Sequence, residues 1–182
     1  MSFWEFRDED TIDGTFDAGG GSMEPIPDNT TCTAIVDEAK WDEDREGNRY
    51  VSLRWSVLAP DDYKNRKVYQ KLWVLLDKPG HKDPMKKREK DKRMLAAIDF
   101  NAGGKLMASG KMPTDDMMAM ALMNKPMSIK VMLWKTNNSQ TGEEMKGNWI
   151  SAVGPRGGKA PTATPKPKAK PVVHDDDEDA PF

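Results

Sequence analysis

The chain has 182 residues, of which 28 are basic and 30 acidic, and this length favours one folded domain with appendages. Cys32 is the single cysteine, which excludes a disulfide framework and a cysteine-based zinc site and fits a reducing cytosol. No apolar run reaches the ~18 residues of a membrane span, and no basic stretch followed by an apolar one opens the chain, so we expect a cytoplasmic protein.

Charge is unevenly distributed along the chain, although the net charge is only −2. Residues 1–24 hold seven acids and one base, and residues 175–182 hold five acids and no base. Of the 28 basic and 30 acidic residues, 27 and 18 therefore remain in residues 25–174, a net of +9. A basic body suits a polyanion, and the two acidic ends could compete with that polyanion.

Composition divides the chain into four parts. Residues 1–27 are acidic and rich in glycine, which predicts an irregular arm. Residues 28–153 are the only stretch with enough apolar periodicity for a folded domain. Residues 154–174 interleave proline with lysine, which predicts a flexible, solvated linker. Residues 175–182 form an acidic tip that ends in an aromatic side chain.

The first half of the domain has a period of two, which predicts strands at 30–41, 48–58 and 66–76. In the second strand Val51, Leu53, Trp55 and Val57 share one face, which predicts that this face lies in the core. In the third strand the apolar face consists of Val68, Leu72, Val74 and Leu76. Polar turns separate the three strands.

The pattern then becomes helical over 84–100 and 114–124, with Thr114 as a candidate N-cap and Pro126 as the stop. Two further strands are predicted at 126–135 and 144–153. Five strands with a helical insert between the third and fourth is the order of the OB-fold, a small Greek-key barrel. We therefore expect a mainly β OB-fold barrel followed by a disordered acidic tail.

The outward positions of this predicted barrel carry both rings and cations. Unpaired bases stack on flat side chains, and phosphates need cations, so such a surface favours single-stranded nucleic acid. The second and third strands form the usual binding face of an OB-fold. Base stacking is assigned by alternation to Tyr50, Tyr69, Trp73 and Trp134, and phosphate contact to Arg54, Lys71 and Lys130.

Each of these assignments has a structural alternative. An outward ring on a small barrel can be covered by a helix, by the N-terminal arm or by a second subunit. The basic run at 82–93 is typical of a solvated helix face, and a phosphate-contacting flap is the alternative. The environments of Trp41 and Trp149 are left open, because their strands alternate poorly.

The tip combines five carboxylates with a terminal aromatic residue, which is typical of a docking peptide rather than a solubilising tail. It resembles the tip of bacterial single-stranded-DNA-binding proteins, an acidic run that ends in Pro-Phe. The resemblance implies that the tip recruits replication, recombination and repair proteins. The residues concerned are Asp175, Asp176, Asp177, Glu178, Asp179, Pro181 and Phe182.

The segments AIVDEAKW…NRYVSLRWSVL, YKNRKVYQKLWV and MNKPMSIKV resemble a bacteriophage family of single-stranded-DNA-binding proteins over roughly residues 14–153. The resemblance implies an OB-like body that coats single strands during phage replication or recombination. We therefore expect largely sequence-independent binding of single-stranded DNA, and we leave open whether the chain forms a homo-oligomer.

Two other classes of protein stay open. A strand-annealing recombination protein would also pair complementary strands, and an OB-fold protein-interaction module would bind a protein through the same face. We expect no enzymatic activity, no cofactor and no metal site, because His81 and His174 have no ligand spacing with Cys32 and the glycine clusters lack phosphate-loop spacing.

Overall fold

The structure, a computed structural model, describes residues 24–75 and 80–158. Most of the N-terminal arm, Leu76, the greater part of the linker and the acidic tip lie outside the described residues. The described chain forms five strands, and three helices lie between the third and fourth. The strands are β1 Thr30–Glu43, β2 Arg49–Ala59, β3 Lys67–Leu72, β4 Met127–Asn137 and β5 Glu144–Gly154, and the helices are α1 Pro84–Ala102, α2 Lys105–Ser109 and α3 Asp115–Leu122.

The strands form one antiparallel sheet in the order β3-β2-β1-β4-β5. Within the described residues, β3 and β5 are the two ends of this order, and no ladder joins them. Their Cα atoms nevertheless approach within 8 Å of each other. The sheet is therefore open between β3 and β5, yet it curves enough to bring its two edges close together.

The inner face of β2 confirms the predicted alternation. Val51, Leu53, Trp55 and Val57 are all fully buried. The indole N–H of Trp55 donates to Gln70 Oε1 at 3.0 Å, so its polar atom is satisfied inside the core. These side chains pack with the inward residues of β1 and β4 and with apolar residues of all three helices.

A β-bulge interrupts the pairing of β1 with β2. Val36 pairs with Trp55 and Glu38 pairs with Arg54, so Asp37 is the extra residue on β1. A bulge re-aims the side chain of the inserted residue. Here it brings the Asp37 carboxylate within hydrogen-bond distance of two β2 side chains.

The predicted helices are present, and their ends have identifiable causes. The Thr114 hydroxyl accepts from Met117 N at 3.3 Å and caps α3, as predicted. Helix α3 stops at Leu122, ahead of Pro126, and Asn124 N then donates to Val36 O of β1 at 2.9 Å. Helix α1 continues to Ala102 and ends at Gly103, whose φ of 118° lies in the left-handed region that glycine adopts without strain.

The short helix α2 was not predicted. Its first amides donate to a buried carboxylate on α1: Leu106 N lies 3.0 Å from Asp99 Oδ1 and Met107 N lies 2.9 Å from Asp99 Oδ2. Asp99 thus satisfies two N–H groups that a five-residue helix cannot pair by itself. A cap supplied from another helix has no signature in the local sequence.

Strand β3 is shorter than the predicted 66–76. Its ladder ends at Leu72, because the next amide, Trp73 N, donates at 2.8 Å to Asp91 Oδ2 on α1 instead of to β2. Asp91 is buried, and it also accepts from Lys87 Nζ at 2.9 Å. This carboxylate therefore ends the strand and anchors α1 beside it.

Candidate nucleic-acid interface

A groove of ≈ 620 Å³ lies where the two edges of the sheet approach each other. We call it the β3–β5 groove. One wall comes from β3 and the loop before it, the other from β4 and β5, and a short stretch of the N-terminal arm contributes to the lining. The lining residues are Pro25, Ile26, Lys64, Asn65, Arg66, Lys67, Val68, Tyr69, Trp134, Lys146, Gly147 and Asn148.

The groove is basic. Lys64, Arg66 and Lys67 lie along one wall and Lys146 lies on the other, and among the described residues that line it none is acidic. Field lines from like charges converge in a concave surface, so such a groove attracts a polyanion more strongly than the same cations would on a convex surface.

Two rings assigned by sequence to base stacking line this groove. Tyr69 is 61 % exposed, and Trp134 is partly exposed. Trp134 pairs with Gly147 across the β4–β5 ladder, and a Cβ built on Gly147 would lie 2.6 Å from ring atom Cζ2 of Trp134. The ring therefore occupies the space that a side chain at position 147 would fill.

A short stretch of the arm is held at the groove by specific hydrogen bonds. Ile26 N donates to Asn148 Oδ1 and Asn148 Nδ2 donates to Ile26 O, each at 2.8 Å. The guanidinium of Arg66 donates to the carbonyl of Glu24. These bonds tie residues 24–26 to both edges of the sheet, which locates the end of the arm that sequence reasoning left unplaced.

Arg54, which was assigned to phosphate contact, already forms ion pairs with two carboxylates. Arg54 Nε lies 2.7 Å from Asp37 Oδ1, and its Nη1 lies 2.7 Å from Glu38 Oε2. Asp37 also accepts from Ser56 Oγ at 2.7 Å and from the ammonium of Lys67. An incoming phosphate would have to compete with these carboxylates for Arg54.

This network also determines the pKa of Asp37. Partial burial acts to raise the pKa of this carboxyl, but the hydrogen bonds from Lys67, Ser56 and Arg54 outweigh burial, and the pKa lies below its ordinary value. The same pairing, through the Asp37 hydrogen bond above all, raises the pKa of Arg54. Asp37 is therefore a stable anion beside the Lys67 wall of the groove.

Two of the four rings assigned to base stacking, Tyr50 and Trp73, are buried, with only 4 % and 5 % of their surface exposed. Their centroids lie 5.0 Å apart, and the ammonium of Lys71 lies 4.8 Å from the Tyr50 centroid. The Tyr50 hydroxyl donates to Asp42 Oδ2 at 3.2 Å. Burial, followed by the neighbouring Asp42 carboxylate, raises the pKa of Tyr50.

The alternation of β2 and β3 places Tyr50 and Trp73 on the outward face, but the tertiary structure covers that face at this end. The anchor between Trp73 N and Asp91 brings α1 against the end of β3.

The other two cations assigned by sequence also lie outside the groove. Lys71 packs over Tyr50, and Lys130, which pairs with Thr31 and Ala152, is half-buried on β4.

Four cations of the groove were missed by the sequence reasoning: Lys64, Arg66, Lys67 and Lys146. For Lys67 a signal existed, because it lies two residues before Tyr69 on β3, so the two side chains are on the same face of the strand. Lys64 precedes the predicted strand, and Arg66, two residues before Val68, falls on its apolar face by alternation, so the pattern assigned neither of them to the groove. Lys146 lies on β5, which is brought to β3 only by the curvature of the sheet.

Residues 24–75 and 80–158 contain no group of three or more His, Cys, Asp or Glu side chains that could hold a metal ion. No helix in those ranges is both long enough and apolar enough to cross a membrane.

No protein-family model matches the chain, and neither does any curated protein.

Proposed function

We propose that this chain is a non-catalytic protein that binds single-stranded DNA with little sequence preference, and that the β3–β5 groove is its binding site. The observation that carries the proposal is the composition of the groove. Two rings, Tyr69 and Trp134, share a concave surface with four cations. Rings and cations are the two components with which proteins bind a single strand without reading its sequence.

The rings favour a single strand over a duplex. Bases in a duplex are stacked on their neighbours and present only their edges, whereas unpaired bases offer a face to a side chain. Base–aromatic stacking contributes about 1–3 kcal/mol per base. A groove with two accessible rings thus gains more from unpaired bases, while its cations would contact the phosphates of either form.

The arrangement of the strands supports an OB-like body. Five antiparallel strands with helices inserted between the third and fourth, and with the first strand central in the order, are compatible with a Greek-key barrel whose last gap lies between β3 and β5. The resemblance of the body to a phage family of single-stranded-DNA-binding proteins supports the same conclusion. We propose a role in coating single strands during replication, recombination or repair.

A fluorescence titration tests the proposal. Oligo-dT and a duplex of equal length are added to the protein at two salt concentrations, and tryptophan emission is followed. We expect quenching by oligo-dT, weaker binding of the duplex, and a large loss of affinity at the higher salt concentration as counterion release becomes less favourable. Equal affinity for both forms, or no binding of oligo-dT, would refute the proposal.

A matched pair of variants locates the site. Tyr69→Ser removes a ring that is 61 % exposed in the groove, and Phe100→Ser removes a ring that is 76 % exposed on α1, outside the groove. Loss of one stacked base predicts an affinity at least about fivefold lower for Tyr69→Ser. The affinity of Phe100→Ser should equal that of the unaltered chain. Equal losses in the two variants would place the DNA elsewhere.

The acidic tip has a separate role in the proposal. We propose that residues 175–182 recruit partner proteins, as their resemblance to the tip of bacterial single-stranded-DNA-binding proteins implies. A chain ending at Val173 should then bind oligonucleotides at least as tightly as the full chain, since no part of the DNA site is removed. Weaker binding by the shortened chain would show that the tip contributes to DNA binding instead.

A further inference from the structure

The N-terminal arm joins the body at the β3–β5 groove itself. Asn148 fixes both main-chain polar atoms of Ile26, and Arg66 holds the carbonyl of Glu24. Pro25 and Ile26 line the groove. Residues 1–23 are therefore attached to the body within one residue of the Arg66 contact, on the wall that carries three of the four groove cations.

The composition of residues 1–23, which we call the acidic arm, matches the chemistry of the groove. The acidic arm contains six carboxylates and one basic side chain, Arg7. It also contains four aromatic rings, which are unusual in a segment with this much charge. The carboxylates are Glu5, Asp8, Glu9, Asp10, Asp13 and Asp17, and the rings are Phe3, Trp4, Phe6 and Phe16.

We propose that the acidic arm binds in the β3–β5 groove of its own chain and competes there with single-stranded DNA. Its carboxylates take the positions of phosphates beside Lys64, Arg66, Lys67 and Lys146, and its rings take the positions of bases beside Tyr69 and Trp134. The inference rests on the proposed function, because the arm acts as an internal substitute for the nucleic acid. It adds a regulatory step, since DNA must displace the arm.

Attachment favours the acidic arm over the acidic tip as the occupant. A tethered ligand has the highest effective concentration when its tether just spans the distance to the site. The acidic arm begins at the groove wall, and a chain advances at most ~3.3–3.6 Å per residue, so only a few of its residues are needed to cross the groove. The tip, in contrast, follows Gly158 by a long proline- and lysine-rich stretch.

The first test removes charge from the acidic arm in the full-length protein. The variant carries Asp8→Asn, Glu9→Gln, Asp10→Asn and Asp13→Asn, and its affinity for oligo-dT is measured at low salt. A matched control removes the same charge from exposed acids outside the groove, through Glu43→Gln, Glu46→Gln, Asp116→Asn and Glu143→Gln. Both variants keep residues 24–27, so the anchor at Asn148 is retained.

We expect the arm variant to bind oligo-dT at least about fivefold more tightly than the control, the lower end of typical coupling between two ligands. Equal affinities in the arm variant and the control would overturn the proposal, because a change in net charge alone would then account for the effect. A chain beginning at Met23 should reproduce the gain of the arm variant.

The second test detects the arm in the groove without any DNA. A nitroxide is attached to Thr11→Cys in the full chain; Cys32 is buried, and burial raises the pKa of its thiol, so the new cysteine is labelled selectively. We expect the label to broaden the amide NMR signals of Lys67, Tyr69 and Gly147. The matched control carries the label at Glu46→Cys, in the turn between β1 and β2, and should broaden these signals less, because Lys67 and Tyr69 pair with Ser56 and Arg54, far along β2 from that turn.

The outcomes separate the two proposals. Broadening at the groove that oligo-dT reverses supports both of them. Broadening without any binding of oligo-dT supports the arm contact and refutes DNA binding as the function of the groove. Binding of oligo-dT by a protein whose groove signals are sharp refutes the arm contact alone. Groove signals that the Thr11 label leaves sharp, but that shift when residues 175–182 are deleted, would assign the groove to the tip instead.

Discussion

The indole ring of Trp134 lies against Gly147, its cross-strand partner, so closely that a Cβ on Gly147 would lie 2.6–2.8 Å from three atoms of the ring. A glycine inside a strand weakens the strand, and it often marks a place where another group approaches the backbone closely. Here the approaching group is a ring that lines the β3–β5 groove. The absence of a side chain at Gly147 thus leaves the space that the Trp134 ring occupies beside β5.

The first prediction concerns this pair. Gly147→Ala should displace the Trp134 ring and reduce oligo-dT affinity several-fold, because stacking of one base contributes about 1–3 kcal/mol. The measurement is a double-mutant cycle with Trp134→Ala. Once the ring is absent, the alanine should have little further effect on binding, which gives a clear interaction energy. Additive losses would mean that the two positions act independently.

The second prediction concerns the salt dependence of binding. Lys64→Gln with Lys146→Gln removes one cation from each wall of the groove. For single strands, log K falls with log salt by about 0.7 per neutralised phosphate, so the slope should decrease by about 1.4. Lys111→Gln with Lys125→Gln is the control, because both lysines are exposed and neither lines the groove. An unchanged slope in the groove variant would show that Lys64 and Lys146 do not contact phosphates.

The third prediction concerns Asp37, whose pKa is lowered by its partners. A carboxyl with a lowered pKa stabilises the fold above its unfolded pKa, about 3.9, and this contribution is lost as pH falls through the lower folded value. Asp37→Asn should therefore reduce the free energy of unfolding by about 1 kcal/mol at pH 7, since Arg54 and Lys67 are partly exposed. The difference from the unaltered protein should shrink below about pH 4.

Urea unfolding from pH 7 to pH 2.5 measures this difference. A constant difference over the whole range would contradict the linkage. The same variant should bind oligo-dT more tightly, because the Asp37 carboxylate no longer neutralises Lys67 on the wall of the groove. A variant that is less stable yet binds more tightly separates the two effects of this side chain.

The fourth prediction concerns the buried carboxylate that anchors α1. Asp91→Ala removes the acceptor of both Trp73 N and Lys87 Nζ, and breaking a buried ion pair of this kind costs about 3 kcal/mol. Glu89→Ala is the matched control on the same helix. It breaks an ion pair with Arg93 whose side chains are 63 % and 79 % exposed, so its effect should lie within about 0.5 kcal/mol.

Urea unfolding of the two variants compares these costs. Hydrogen exchange at Trp73 N should also accelerate in Asp91→Ala, because this amide loses its acceptor on α1. Equal stability of the two variants would show that α1 is held to β3 by apolar contacts alone.

The pattern of the sequence was sufficient for the five strands, the two longer helices and the inner face of the sheet, but not for helix α2 or the early end of β3. Alternation identified Val51, Leu53, Trp55 and Val57 as core residues, because side chains alternate between the two faces of a strand. The apolar face is buried away from water however the strands are connected. The cap at Thr114 was readable for a similar reason, since a hydroxyl and the amide three residues later lie within one turn. The order of strands and helices followed from these local rules.

The candidate site was readable only in part. The position of a residue along a strand determines which face its side chain is on. For Tyr69 and Trp134, the outward face that alternation predicts is the one that lines the β3–β5 groove. Alternation does not state what covers the outward face. Alternation also assigned Tyr50 and Trp73 to the outward face, yet both are buried, with their ring centroids 5.0 Å apart.

Local pattern by itself thus determined the five strands of the described residues, the buried inner face and the helical insert, and composition determined the two acidic ends. Only the tertiary structure decided which outward residues form a groove. The curvature of the sheet brings Lys146 of β5 towards Lys64 and Arg66 before β3, although about 80 residues separate them in sequence, beyond the reach of any helical or strand period. The tertiary structure also places Glu24 and Ile26 at that groove, through hydrogen bonds to Arg66 and Asn148 that no local rule predicts.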